Sequence, residues 1–214
     1  MQLQEFRTDL SARMSASKIT GFWKDSDKDR WINKAIVRAC NYARWKFLSK
    51  HSSQLTELNS DGSGKESYFL PFDFKPGGMI FLSLDKAEYH KVGEETYLST
   101  KSNNDLIQNI FTIIGDEFFL NPVPTEAGKI IDFYYKRRPV RLVEDTDEPI
   151  TPEEMDEAIV KLALSVCLSK IPGKKAESQQ EVIEAHTMLA QVKEREDEEP
   201  SSVFKGQATS SRWS

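Results

Sequence analysis

Tyr68-Phe69-Leu70-Pro71-Phe72-Asp73-Phe74, then Asp116-Glu117-Phe118-Phe119-Leu120-Asn121-Pro122-Val123-Pro124, then Ile130-Ile131-Asp132-Phe133-Tyr134-Tyr135-Lys136-Arg137-Arg138-Pro139 crowd aromatic and β-branched residues into the middle of the chain. Such side chains suit a pleated, half-buried surface, and each run is closed by Gly, Pro or Asn, which interrupt a ladder or supply a turn. Strands are predicted over 79–84, 88–92, 111–114, 117–120 and 129–135. Gly115-Asp116 reads as a two-residue hairpin with glycine where φ must be positive. Short strands in this number suggest a small sandwich or barrel-like sheet. The polar stretch 52–67, with Asp61-Gly62-Ser63-Gly64 at its tip, reads as a connection.

The segments on both sides read as helices. Leu3, Phe6, Leu10 and Met14 recur at three-to-four spacing, which places them on one helical face. A second helix starts at Asp25 or Ser26, where Ser26 and Asp29 approximate a capping box, and its stripe runs through Trp31, Ile32, Ala35, Ile36, Ala39, Cys40, Ala43 and Phe47. A third is predicted to start with Thr151 as N-cap, Pro152 in the first helical position and Glu154 reaching back, and to stop at Ile171-Pro172-Gly173. A fourth, about 175–196, carries Val182, Ile183, His186, Leu189, Ala190 and Lys193 on one side. The short Pro-Gly connection predicts an antiparallel hairpin of these last two.

The expected fold class is α+β: a bundle of about four helices with an inserted small antiparallel β module and an extended C-terminal tail. The expected divisions are 1–51 for the N-terminal helices, 52–142 for the β module, 143–199 for the helical hairpin and 200–214 for the tail. The tail is rich in Ser, Thr, Gly, Gln and Lys, with Val203, Phe204 and Trp213 as its large apolar groups, too few to order it alone.

A net charge of −5 argues against a dedicated nucleic-acid binder, because phosphate affinity comes from clustered Lys and Arg. Cys40 and Cys167 share no metal-ligand spacing, which predicts buried free thiols in a reducing compartment. The first residues show no basic region followed by an apolar run, and no stretch approaches the roughly 20 apolar residues of a membrane span, so a protein made in the cytoplasm, with no membrane partner, is expected.

Chemical motifs fail on inspection. The stretch 59–66 imitates a phosphate-binding loop, but Asn59 stands where its first glycine is required and Glu66 where its Ser/Thr would hold magnesium. Asp25, Asp27 and Asp29 open like a calcium loop, but Arg30 replaces the glycine and Ile36 the closing glutamate. His51, His90 and His186 share no motif. No catalytic residue, metal ligand or cofactor is expected, and the chain is not read as an enzyme. Lys136-Arg137-Arg138-Pro139-Val140-Arg141 is the dense basic cluster. Three readings of it stay open: a solvated strand end, a nucleic-acid patch beside Tyr134 and Tyr135, or pairing with a neighbouring copy's acidic runs at Glu144-Asp145 and Glu194–Glu199. Trp213, near the end of the tail, needs a partner if it is to be buried.

The order "LPxDF" into the β region, "GDEFFLNPVP" across its centre and "YYKRRP…L…DEPI" out of it into a helix resembles the head–tail adaptor proteins of tailed bacteriophages, over about residues 1–170. The resemblance implies a structural virion protein in the neck, between capsid and tail. It would form a homo-oligomeric, dodecameric ring beneath the portal, extend the DNA channel and dock a tail or neck protein, with DNA passing through unbound. A C-terminal segment engages the portal in that family, which points here to Val203, Phe204, Arg212 and Trp213. Trp31, Ile36, Lys136, Arg137, Arg138 and Arg141 are the expected subunit-interface residues. The alternatives are a tail-completion component that does not touch the portal, and a nucleic-acid-binding module using the basic cluster.

Overall fold

The computed structural model describes residues 1–19, 23–102 and 109–198. Among them are five α-helices: α1 (Leu3–Ala16), α2 (Asp25–Tyr42), α3 (Glu94–Ser102), α4 (Asp156–Leu168) and α5 (Lys175–Glu198). Seven strands accompany them: β1 (Ser49–Leu55), β2 (Ser67–Phe69), β3 (Phe74–Leu84), β4 (Ala87–Lys91), β5 (Ile110–Ile114), β6 (Glu117–Asn121) and β7 (Ile130–Arg137). The chain divides into a helical unit, residues 1–45 with 142 onward, and a sheet unit, residues 46–141.

In the helical unit, Leu3, Phe6, Leu10 and Met14 of α1 are buried as their spacing requires, and so is the α2 stripe from Trp31 to Cys40. α4 is buried nearly all round, with Ala158, Ile159, Val160, Leu162, Ala163, Leu164, Cys167 and Leu168 all buried, so it is the central helix rather than a one-faced one. α5 runs antiparallel to it: Ser178 donates to the Ser165 carbonyl at 2.8 Å, while Lys161, one turn earlier on α4, meets Glu181 at 3.1 Å and Glu184 at 2.7 Å. The buried stripe of α5 is Ser178, Ala185, Leu189 and Val192, and Ile183 is 60% exposed. A serine at the head of that stripe hides it from a purely apolar pattern.

Two expected caps do not form. α2 starts at Asp25 after Lys24, which has no side-chain acceptor, so Ser26 lies inside the helix, and Asp29 is committed to Arg7. Ahead of α4, residues Glu153–Met155 form a 3₁₀ turn in which the Met155 N–H donates to the Pro152 carbonyl at 3.0 Å. Thr151 therefore lies one turn too early to cap α4, and its hydroxyl is buried with no partner.

The sheet unit corrects the expected fold class. Its strands form one curled, seven-stranded sheet in the order β1-β7-β3-β4-β5-β6-β2, not a small antiparallel module on a four-helix bundle. The β4–β5 pair is parallel, with His90 opposite Ile110 and Lys91 opposite Phe111, and α3 lies in the connection between them. α3, β1 and β2 were not expected: β1, Ser-Lys-His-Ser-Ser-Gln-Leu, has no apolar alternation and owes its conformation to full pairing with β7. The five expected strands are present with shifted ends, and Gly115 takes φ +65° between the paired Ile114 and Glu117. The core is aromatic: Tyr68, Phe74, Leu82, Tyr89, Phe111, Phe118, Leu120, Ile131, Phe133 and Tyr135.

Candidate functional site

Within the sheet unit, the Leu-Pro-Phe-Asp-Phe entry into β3 is organised around a buried carboxylate. Asp73 is 4% exposed and accepts from Tyr135 Oη at 2.7 Å and Lys50 Nζ at 2.8 Å. Burial alone would raise its pKa, but the bonds from Lys50 and Tyr135 outweigh it and hold the carboxyl below its ordinary value. Burial and the same bond push the Tyr135 hydroxyl well above the ordinary phenol range. Asp73 thus ties β1, β3 and β7 together at one end of the sheet. Phe74 then turns into the core, while Phe72 is 78% exposed and Phe69 63%. The sequence signal for this arrangement was a single acid inside an aromatic run.

The basic cluster lies at the same end. Arg137 donates to the Phe47 carbonyl at 3.1 Å, Arg138 to the Phe72 carbonyl at 2.8 Å, and Lys136 to Ser49 Oγ at 2.7 Å. These three cations fasten the ends of β1 and β3 to β7, whereas Arg141 is exposed. On the outer face of the same strands His51 stacks on Tyr134 at 4.7 Å, and its ring nitrogen is 3.0 Å from Asp132.

In the helical unit Arg7 grips Asp29 through both Nε and Nη2 and also reaches Asp145, fastening α1 to α2 and to the 143–147 loop. Asp145, offered above to a neighbouring copy, is thereby engaged within its own chain. Trp31 and Ile36, expected at a subunit interface, are 2% and 1% exposed, so almost all of their surface is already spent in this unit's core. Among the described residues, Val37, Tyr42, Val143 and Ile183 are the large apolar groups this unit exposes to solvent. Val203, Phe204, Arg212 and Trp213 lie outside the described residues.

Chemistry is not assembled on the described surfaces. The depression of about 450 Å³ beside β4 is lined by Leu84, Asp85, Tyr89, Pro122, Val123 and Lys129, and its lysine is bridged to Asp85 and Glu126. His51, His90 and His186 sit beside Asp132, Glu88 and Tyr42 respectively, and no two share a partner. Cys40 and Cys167 are buried free thiols, and burial pushes the Cys167 thiol up. Among the described residues there is no group of His, Cys, Asp and Glu able to hold a metal ion, and no helix long and apolar enough to cross a membrane.

No curated protein matches the chain by sequence. The family model described as "SU10 adaptor protein" matches residues 1–204, both the helical and the sheet unit. The match spans nearly the whole sequence, and the chain belongs to the SU10 adaptor protein family, a family of phage head–tail adaptors.

Proposed function

We propose that this adaptor acts as a closed ring of identical copies beneath the portal, extending the DNA channel and offering a docking surface to the tail. The observation that carries the reading is the family match over residues 1–204. Rings arise from heterologous, head-to-tail contacts, which need two different surfaces on one chain. With Trp31 and Ile36 buried, the surfaces that fit are the exposed Val37, Val143 and Ile183 of the helical unit and the exposed Phe72 of the sheet unit. Arg141 and the acidic end of α5 add charges of opposite sign. We assign the 201–214 segment to the portal, with Val203, Phe204 and Trp213 as apolar anchors and Arg212 beside the last. The nucleic-acid reading loses support, because Arg137 and Arg138 each spend a guanidinium N–H on a backbone carbonyl.

The test is a phage lacking this gene. The expected particles are filled heads that lose their DNA and carry no tails. Intact tailed particles from the mutant would overturn the reading.

A further inference from the structure

β1 and β2 are the two open edges of the sheet, and they follow one another in the chain. Antiparallel pairing alternates residues that bond their partner with residues whose N–H and C=O point away. On β1 the even residues bond β7: the Arg137 N–H donates to the Leu48 carbonyl and the Thr56 N–H to the Lys129 carbonyl, in register with Ser49 opposite Lys136. The backbone groups of His51, Ser53 and Leu55 therefore point outward. On β2 the even residues bond β6: the Leu120 N–H donates to the Glu66 carbonyl and the Leu70 N–H to the Asp116 carbonyl, leaving Ser67 and Phe69 outward.

The two edges start to join and then stop. Asn59 N–H donates to the Ser63 carbonyl at 2.8 Å, Leu58 bridges Gly64, and Lys65 N–H donates to the Glu57 carbonyl at 3.3 Å. That ladder, continued, would pair Leu55 with Ser67 and Ser53 with Phe69, residues whose backbone groups point away from β7 and β6. Neither pair forms: β1 pairs only with β7 and β2 only with β6. The curled sheet thus keeps an unpaired seam between its β1 and β2 edges. Two features mark the seam as unfinished. Gln54 Nε2, on the inward side of β1, is buried with no acceptor. Leu55 is 58% exposed and Phe69 63%.

We propose that an extended strand from a different virion protein enters this seam and completes the sheet by β-augmentation, in which main-chain bonds supply affinity and side chains supply specificity. The strand is acidic where it passes the first residues of β1, which lie beside Lys50, Lys136 and Arg137, and apolar where it passes Leu55 and Phe69. The carboxylate that this chain itself places at the cationic end, Asp73, is buried and already bonded. A second copy suits the seam less well. An isologous β1–β1 contact closes as a two-fold pair and leaves the β2 edge unused, whereas an inserted strand satisfies both. The inference rests on the reading of this chain as an assembled virion adaptor.

Amide hydrogen exchange of the full chain, free and in purified particles, tests it. The amides of His51, Ser53, Leu55, Ser67 and Phe69 are expected to exchange quickly in the free protein and to be protected in the particle. Fast exchange in both would overturn the seam proposal while leaving the ring reading intact, as would protection in both. A second test replaces Phe69 with photoreactive benzoylphenylalanine. Crosslinks in the particle to another virion protein are expected, and crosslinks only to a second copy, or none, would overturn the proposal. Ser53→Pro removes an outward N–H and keeps the β7 ladder. It should lower incorporation into particles by roughly tenfold or more, and wild-type incorporation would count against the seam.

Discussion

Tyr135 on β7 donates a 2.7 Å hydrogen bond to Asp73, a carboxylate 62 residues away and 4% exposed. Lys50 of β1 holds the other carboxylate oxygen at 2.8 Å, so one acid joins three strands. Removing it strands a buried hydroxyl and an ammonium together, so Asp73→Ala should cost about 2–3 kcal/mol. Tyr135→Phe, which removes one neutral donor, should cost about 1–2 kcal/mol. Chemical denaturation of the two variants checks the order.

The same group sets a pH dependence. The folded-state pKa of Asp73 lies below its ordinary value, so its contribution is present above the unfolded pKa and is lost as pH falls through the folded one. The difference in thermal midpoint between wild type and Asp73→Asn should be constant near neutrality and shrink in acid, below a pH of about 4. A gap that widened in acid would reverse the sign assigned here.

Thr151 offers a cleaner mutational test of the α4 entry. Its hydroxyl is buried without a partner, and the 3₁₀ turn separates it from the helix. A capping threonine replaced by alanine would cost on the order of 1 kcal/mol. Here Thr151→Val should instead leave the stability unchanged or raise it by up to about 1 kcal/mol, because an unsatisfied polar atom is removed. A loss of a full cap's worth would place the helix start at Pro152.

Arg7 and Asp29 form a two-pronged pair at 17% and 20% side-chain exposure, which distinguishes them from an ion pair with an exposed acid such as Lys193–Asp197 of α5. A double-mutant cycle with Arg7→Met and Asp29→Asn should return a coupling of about 1–2 kcal/mol. The Lys193–Asp197 pair, whose acid is 58% exposed, should return under about 0.5 kcal/mol.

Deleting residues 201–214 should leave the unfolding midpoint of the isolated protein nearly unchanged and greatly weaken binding to purified portal, because a segment with so few large apolar groups supplies affinity only where those anchors are well buried. Wild-type affinity in the truncated protein would move the docking role to the folded units.

Much of the fold was legible where apolar periodicity was strong. The α1 stripe and strands β5 to β7 read directly because their own side chains carry the burial pattern. β1 did not, since its inward residues Lys50, Ser52 and Gln54 are polar and its conformation is imposed by β7. The α4 cap failed because Thr-Pro-Glu-Glu satisfies a local pattern that a 3₁₀ turn overrides. Among the functional residues, the Lys136–Arg138 cluster was visible as charge. Its partners were not, because the carbonyls of Phe47 and Phe72 lie 90 and 66 residues away in sequence. The Trp31 and Ile36 stripe was visible too, but apolar spacing alone does not distinguish a helix face buried in its own unit from one reserved for a neighbour.

The ring is tested most directly by native mass spectrometry of the full chain mixed with its purified portal. The account predicts complexes in which many adaptor copies, in a closed number such as twelve, are bound to one portal assembly. A single bound copy per portal assembly, or no binding at all, would contradict it.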